Sequence, residues 1–236
     1  MSARTVDWAA PDGGATKPEG LRERKKRRMR QQLTDTATEM FVERGFDAVR
    51  VAEIAEACGV SEKTVFNYFP TKESLILDHP ETAMAALRVG LADPAVTPTG
   101  AALRILGAEL DGMTSWLADQ EDPVEAGAKV RRFRELIQTT PSLRAHQRDA
   151  MDQIVAVAAT LLAERAGLAA DDPEPQIAAT ALLGLWKVQF GGLRKYLDGT
   201  RTPAQVREAV TADVRAAARL IDTGLAGFAV VGRAAD

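Results

Sequence analysis

Residues 51–69 read VAEIAEACGVSEKTVFNYF, two short apolar-striped runs joined by Cys58-Gly59-Val60. Val51, Ile54 and Ala55 recur at helical spacing, which predicts a helix over about 51–57. Gly59 tolerates the positive φ that a tight turn demands. Ser61 is placed to cap a further helix running to Tyr68, its hydroxyl accepting from first-turn N–H groups. Helices this short do not persist alone in water, so both need a partner. Leu33, Ala37, Met40 and Phe41 stripe that partner, a helix from about Gln31 to Arg44 closed by Gly45. A three-helix core of Phe41, Ile54, Val60 and Val65 follows, with a helix-turn-helix inside it.

A helix that enters a major groove must hold the core with one face and send first-turn side chains outward with the other. Val65 and Phe69 stand four apart and share the inward side, leaving Glu62, Lys63, Thr64 and Asn67 outward beside the capping Ser61. Lys63 has the chemistry to donate to guanine O6 or N7. Asn67 can read adenine, and Thr64 can bond a base or touch a thymine methyl. Glu62 also suits the positive end of its helix.

Charge is divided unevenly. Residues 21–72 hold eleven Lys/Arg against eight Asp/Glu, a net +3, whereas residues 73–236 are −5 and residues 1–20 are −1. Seven of the nine residues from Arg22 to Arg30 are basic, and such an arm beside a helix-turn-helix is expected to meet phosphates. The whole-chain pI near 5.6 hides this basic head.

The run AEIAEACGVSEKTVFNYFPTKESLI, with FVERGF upstream, resembles the TetR family of bacterial regulators over roughly residues 30–77. The spacing G-V-S-x-x-T-x-x-x-Y-F-x-x-K-E carries the resemblance. It implies that Tyr68 and Lys72 are a phosphate-contacting pair just beyond the recognition helix. It also implies that the C-terminal helices bind a small effector and form a homodimer on a double-stranded operator. Arg50 departs from the pattern, standing where a hydroxyl residue usually caps the second helix. Arginine has no acceptor, so the cap is lost and a phosphate grip is expected instead. Cys58 replaces a small alanine and reads as a buried apolar residue.

The expected organisation is all-α. Residues 1–20 form a disordered leader that includes Trp8. Residues 21–72 form a DNA-binding domain with a basic N-terminal arm, and residues 73–236 form a larger helical effector-binding and dimerisation domain. Thr71 is placed to cap a helix starting at Lys72, which His79-Pro80 ends or kinks. Further helices are expected over about 81–92, 99–119, 124–139, 142–166, 174–198 and 203–229, punctuated by proline and glycine. Leu103, Leu106, Leu110, Met113 and Leu117 make an apolar seam.

For the dimer, Ile177, Ala181, Gly184, Leu185 and Val188 line one helix, with Gly191 and Gly192 permitting close approach. Val206, Val210, Val214, Ala217, Ile221 and Phe228 stripe the next. The large side chains expected at an effector pocket are Trp116, Phe133, Met151, Trp186 and Phe190, with Arg134, His146 and Gln189 as polar anchors.

The reading is a repressor released from a palindromic operator by a small molecule. A regulator without an effector and an activator stay open as alternatives. An enzyme is disfavoured, because His79 and His146 are the only histidines and neither belongs to a catalytic pattern. No cofactor or metal is expected, since one cysteine makes no thiol cluster. A membrane-surface module built on RERKKRRMR would leave the helix-turn-helix unexplained. With no signal-like apolar core near the start and no spanning segment, a cytoplasmic protein is expected.

Overall fold

The computed structural model describes residues 20–77 and 80–224. Among these residues the regular structure is entirely helical: α1 (Leu21–Arg44), α2 (Val51–Ala57), α3 (Glu62–Tyr68), α4 (Pro80–Ala92), α5 (Pro98–Ala118), α6 (Pro123–Thr139), α7 (Pro141–Ala166), α8 (Pro173–Tyr196) and α9 (Pro203–Thr223). They form two compact units. One runs to residue 79 and takes in Ala128–Ala150; the other comprises Pro80–Gly127 and continues from Met151.

The first unit is built on the expected three-helix core. Leu33, Ala37 and Phe41 of α1 meet Ile54, Val65 and Phe69 with essentially no exposure. Gly45 at φ 86° and Gly59 at φ 68° provide the two reversals, in a region that a Cβ disfavours. The core then extends past the boundary expected at residue 72. Leu75 and Ile76 are buried in it, as are Ile137 of α6 and Leu143 of α7.

Two expectations change here. The helix expected from Lys72 is a single 3-10 turn, Glu73–Leu75, with Lys72 at its N-cap position; Thr71, expected as the cap, lies one residue earlier and accepts from Ser74 N–H at 3.2 Å. The first helix starts at Leu21 rather than near Gln31, so the basic arm is part of α1. The leader with Trp8, and also His79 and Phe228, lie outside the described residues.

Every helix from α4 to α9 opens on a proline, whose fixed φ suits N1 and whose missing N–H is no loss there. Thr97 and Thr202 then cap α5 and α9 through their hydroxyls. Leu106, Leu110, Met113 and Leu117 of α5 are buried as the seam predicts, whereas Leu103 is only half-buried. Gly192 lets α8 approach α9 closely: a Cβ there would stand 3.3 Å from Val210. Arg165 of α7 closes the loop after α4 by donating to the carbonyls of Leu91, Asp93, Pro94 and Val96.

Candidate nucleic-acid interface

Helix α3 is fixed at its start by Ser61, whose Oγ accepts from Thr64 N–H at 3.1 Å and lies 2.8 Å from the Thr64 hydroxyl. Its inward side chains, Val65 and Phe69, are each 1% exposed. Glu62, Lys63 and Asn67 are exposed as expected, while Thr64 is half-buried against its cap. The outward row contains one member that periodicity alone would have revealed. Phe66 is 44% exposed, an unusual position for a phenyl ring on a polar surface.

The far end of α3 is held from α1. Arg30 donates through Nη1 to the Tyr68 carbonyl at 2.9 Å, and its guanidinium stacks 4.5 Å from the Phe69 ring centre. No local pattern announces this contact between residues 38 apart. Tyr68 is half-buried with its ring on the core. Lys72 is drawn inward as well: its ammonium donates to the Phe46 carbonyl at 2.6 Å and lies over the Phe46 ring. Burial holds its pKa below the ordinary lysine range.

At the start of α2 the capping that Arg50 cannot perform is done by Glu53. Its Oε2 accepts from Arg50 N–H at 2.8 Å, and its Oε1 accepts from Arg44 Nη2 at 2.9 Å. These bonds, the Arg50 backbone bond first, hold the Glu53 carboxyl below its usual pKa. Glu53 stands at N3, the position from which an acidic side chain reaches back to the N-cap, so the sequence did carry that signal. The Arg50 side chain remains 80% exposed, with Nε 3.7 Å from Glu53. Cys58 is buried with Sγ 3.4 Å from the Thr36 hydroxyl, the small-residue role expected of it.

The residues expected at an effector pocket fall into both units. Phe133 packs on the core of the first unit. Arg134, in the same unit, is pushed down to about 10 in pKa by burial, and His146 is half-buried. In the second unit Trp186 and Gln189 meet at Glu109, a residue the sequence reading missed. Trp186 Nε1 donates to Glu109 Oε2 at 3.1 Å, and Gln189 Nε2 approaches the same oxygen at 3.5 Å. Burial raises the Glu109 pKa above its ordinary value. Trp116 has a buried indole N–H with no hydrogen-bond partner among the described residues, and Met151 and Phe190 are half-buried. Gln189 also lines a cavity of about 240 Å³ with Leu106, Leu110, Val214, Arg104 and Arg215. That is smaller than the space a drug-sized ligand usually fills.

The residues expected at a dimer interface divide by exposure. Ile177 is 68% exposed, and Ala181, Gly184, Val188 and Ile221 are partly exposed. Gly184 and Gly191 have open space where a Cβ would stand. Leu185 and Val214 turn inward instead, at 1% and 3% exposure, as do Val206 and Val210. These four belong to the unit's own core, because the α8–α9 packing consumes them. No described helix is long and apolar enough to cross a membrane, and the described residues hold no cluster of three metal-ligating side chains.

Comparison with known proteins agrees with this geometry. Residues 33–78 match a family model described as bacterial regulatory proteins of the tetR family, and residues 121–191 match one described as the MftR C-terminal domain. The HTH-type transcriptional regulator TcmR of Streptomyces glaucescens is 33% identical over 159 residues, 65% of this chain and 67% of TcmR. MftR of Mycobacterium tuberculosis, named for regulation of mycofactocin biosynthesis, is 30% identical over 154 residues, 65% of this chain and 73% of MftR.

Proposed function

The chain belongs to the TetR family of bacterial regulators and is a DNA-binding transcription regulator, and on that premise we propose that it is a homodimeric repressor released from a palindromic operator by a small molecule. The observation that carries the reading is the division of α3, with Val65 and Phe69 fully inward and Lys63, Phe66 and Asn67 outward on a Ser61-capped helix. Lys63 and Asn67 read base edges. Phe66 meets a thymine methyl, a contact its exposed ring suits better than any phosphate. Arg50 reaches a phosphate from the start of α2. Tyr68 and Lys72 support the end of α3 and present their outer atoms to the backbone.

Two-fold symmetry follows from economy of contact, since one short recognition helix specifies too few base pairs for a tight operator. The outward row Ile177, Ala181, Gly184 and Val188 of α8, with Ile221 of α9, forms the partner surface. Its small residues favour close approach between helices. The effector occupies the second unit, with Glu109, Trp186 and Gln189 as its polar anchor. It favours a conformation whose recognition helices no longer match two successive grooves, so operator DNA weakens effector binding by the same factor.

Selection of duplexes from a random pool by the full chain tests this. The expected product is a pair of inverted half-sites, bound by two chains and able to repress a reporter placed downstream. Enrichment of no sequence overturns the operator reading. A single unrepeated half-site overturns the dimeric part.

A further inference from the structure

We propose that the first turns of α1 are a second DNA-binding surface, a rigid basic helix that grips phosphates outside the half-site read by α3. This rests on the operator reading above.

The stretch from Arg22 to Arg30 carries seven basic residues, and every residue from Leu21 to Arg28 is exposed. As a free helix it is locally unfavourable. Arg22 and Lys26, Arg24 and Arg28, and Lys26 and Arg30 are like-charge pairs at i,i+4, which destabilise a helix. The basic residues also crowd the helix N-terminus, where the macrodipole repels cations, and only Glu23 opposes them in the first turn. Gly20 provides no side-chain cap. Nor does tertiary packing offset these terms before Met29, because residues 21–28 are all exposed and only Met29 and Arg30 reach the core. A local sequence that works against its own structure marks a functional segment. A row of anions would offset these like-charge repulsions.

Position selects which anions. Arg30, at the base of the segment, is the residue that binds the Tyr68 carbonyl and stacks on Phe69. The extension therefore departs from the C-terminal end of α3 in a direction fixed by the continuous helix. Nine residues of helix reach about 13 Å further. Phosphates flanking the half-site fit that reach and charge, and they are read without regard to sequence.

The test replaces Arg22, Arg24, Lys25, Lys26 and Arg28 together with Gln in the full chain, since Gln has nearly the helix propensity of the residues it replaces. Binding to the selected operator is measured across salt, on duplexes with long flanks and on duplexes trimmed to the selected bases. The variant is expected to keep the same sequence preference and to bind the long duplex at least tenfold more weakly. Its log–log salt slope should be shallower by about 0.9 for each phosphate it no longer neutralises. Trimming the flanks should weaken the wild type and leave the variant unchanged. Equal affinity and slope for the two proteins on long flanks overturn the proposal. So does a variant that loses only its binding to phosphatidylserine vesicles, which would assign the helix to a membrane surface. A wild type that selects no sequence overturns the operator reading itself, and this inference with it.

Discussion

Lys72 Nζ donates to the Phe46 carbonyl at 2.6 Å, and the same ammonium lies 4.3 Å from the centre of the Phe46 ring. The lysine that the family resemblance assigns to a phosphate thus also ties the segment after α3 to the turn after α1. Lys72→Met keeps the aliphatic stem and removes both interactions. It should lower stability by about 1–2 kcal/mol in urea unfolding, from one charged hydrogen bond and a partly buried cation–π contact. Unchanged unfolding would leave Lys72 with a DNA role only.

Glu53 supplies the cap that Arg50 lacks, so its effect must depend on pH. Its folded pKa lies below the ordinary 4.5. The stabilisation is therefore present above 4.5 and fades as pH falls through the folded value. Glu53→Ala should lower the Tm at neutral pH and converge on the wild type in acid. A gap of constant size across that range would assign the loss to helix propensity rather than to the carboxylate.

Phe66 predicts a discrimination that no charged residue can produce. Replacing individual thymines of the operator with deoxyuridine removes only the methyl group. At one position per half-site the loss should be about 0.8 kcal/mol, roughly fourfold in Kd. Phe66→Ala should abolish that sensitivity while weakening the thymine operator. Equal sensitivity in the variant would place the ring elsewhere.

Glu109 titrates in the opposite sense to Glu53. Burial raises its folded pKa above 4.5, so stability from this group is greatest below 4.5 and declines as pH rises through the folded value. Glu109→Gln keeps an acceptor for the Trp186 indole and removes the buried charge. The variant should melt higher than the wild type at neutral pH and coincide with it in acid. A lower Tm at neutral pH would mean that the carboxylate holds an interaction stronger than its burial penalty.

Ile177 distinguishes association from folding, because it is 68% exposed within one chain. Ile177→Asp should leave the far-ultraviolet spectrum intact and shift sedimentation from dimer to monomer, with a steep loss of operator affinity. A dimer that survives this change would move the interface away from the outward face of α8.

Periodicity and punctuation were sufficient for the helices. Stripes of period 3.6, prolines at N1 and glycines at positive φ are local signals, and the described helices from α2 to α9 lie close to where those signals put them. The helix-turn-helix was legible for the same reason: its cap, its turn and its inward residues all lie within 19 residues. Misreadings arose where a role depends on a distant partner. Leu185 and Val214 share stripes with the other residues expected at an interface, and their burial within the second unit is visible only once its helices are packed. The pairing of Glu109 with Trp186 spans 77 residues and leaves no local trace.

The helix-turn-helix that residues 51–69 announce was determined by the sequence alone, because helix starts, turns and inward faces follow from neighbours a few residues apart. What only the tertiary structure decided is how that motif is braced. Arg30 takes the end of α3, Lys72 takes the Phe46 carbonyl, and Ile137 and Leu143 close the core from helices far along the chain. Such contacts depend on where the folded chain brings its distant parts, which no local spacing encodes.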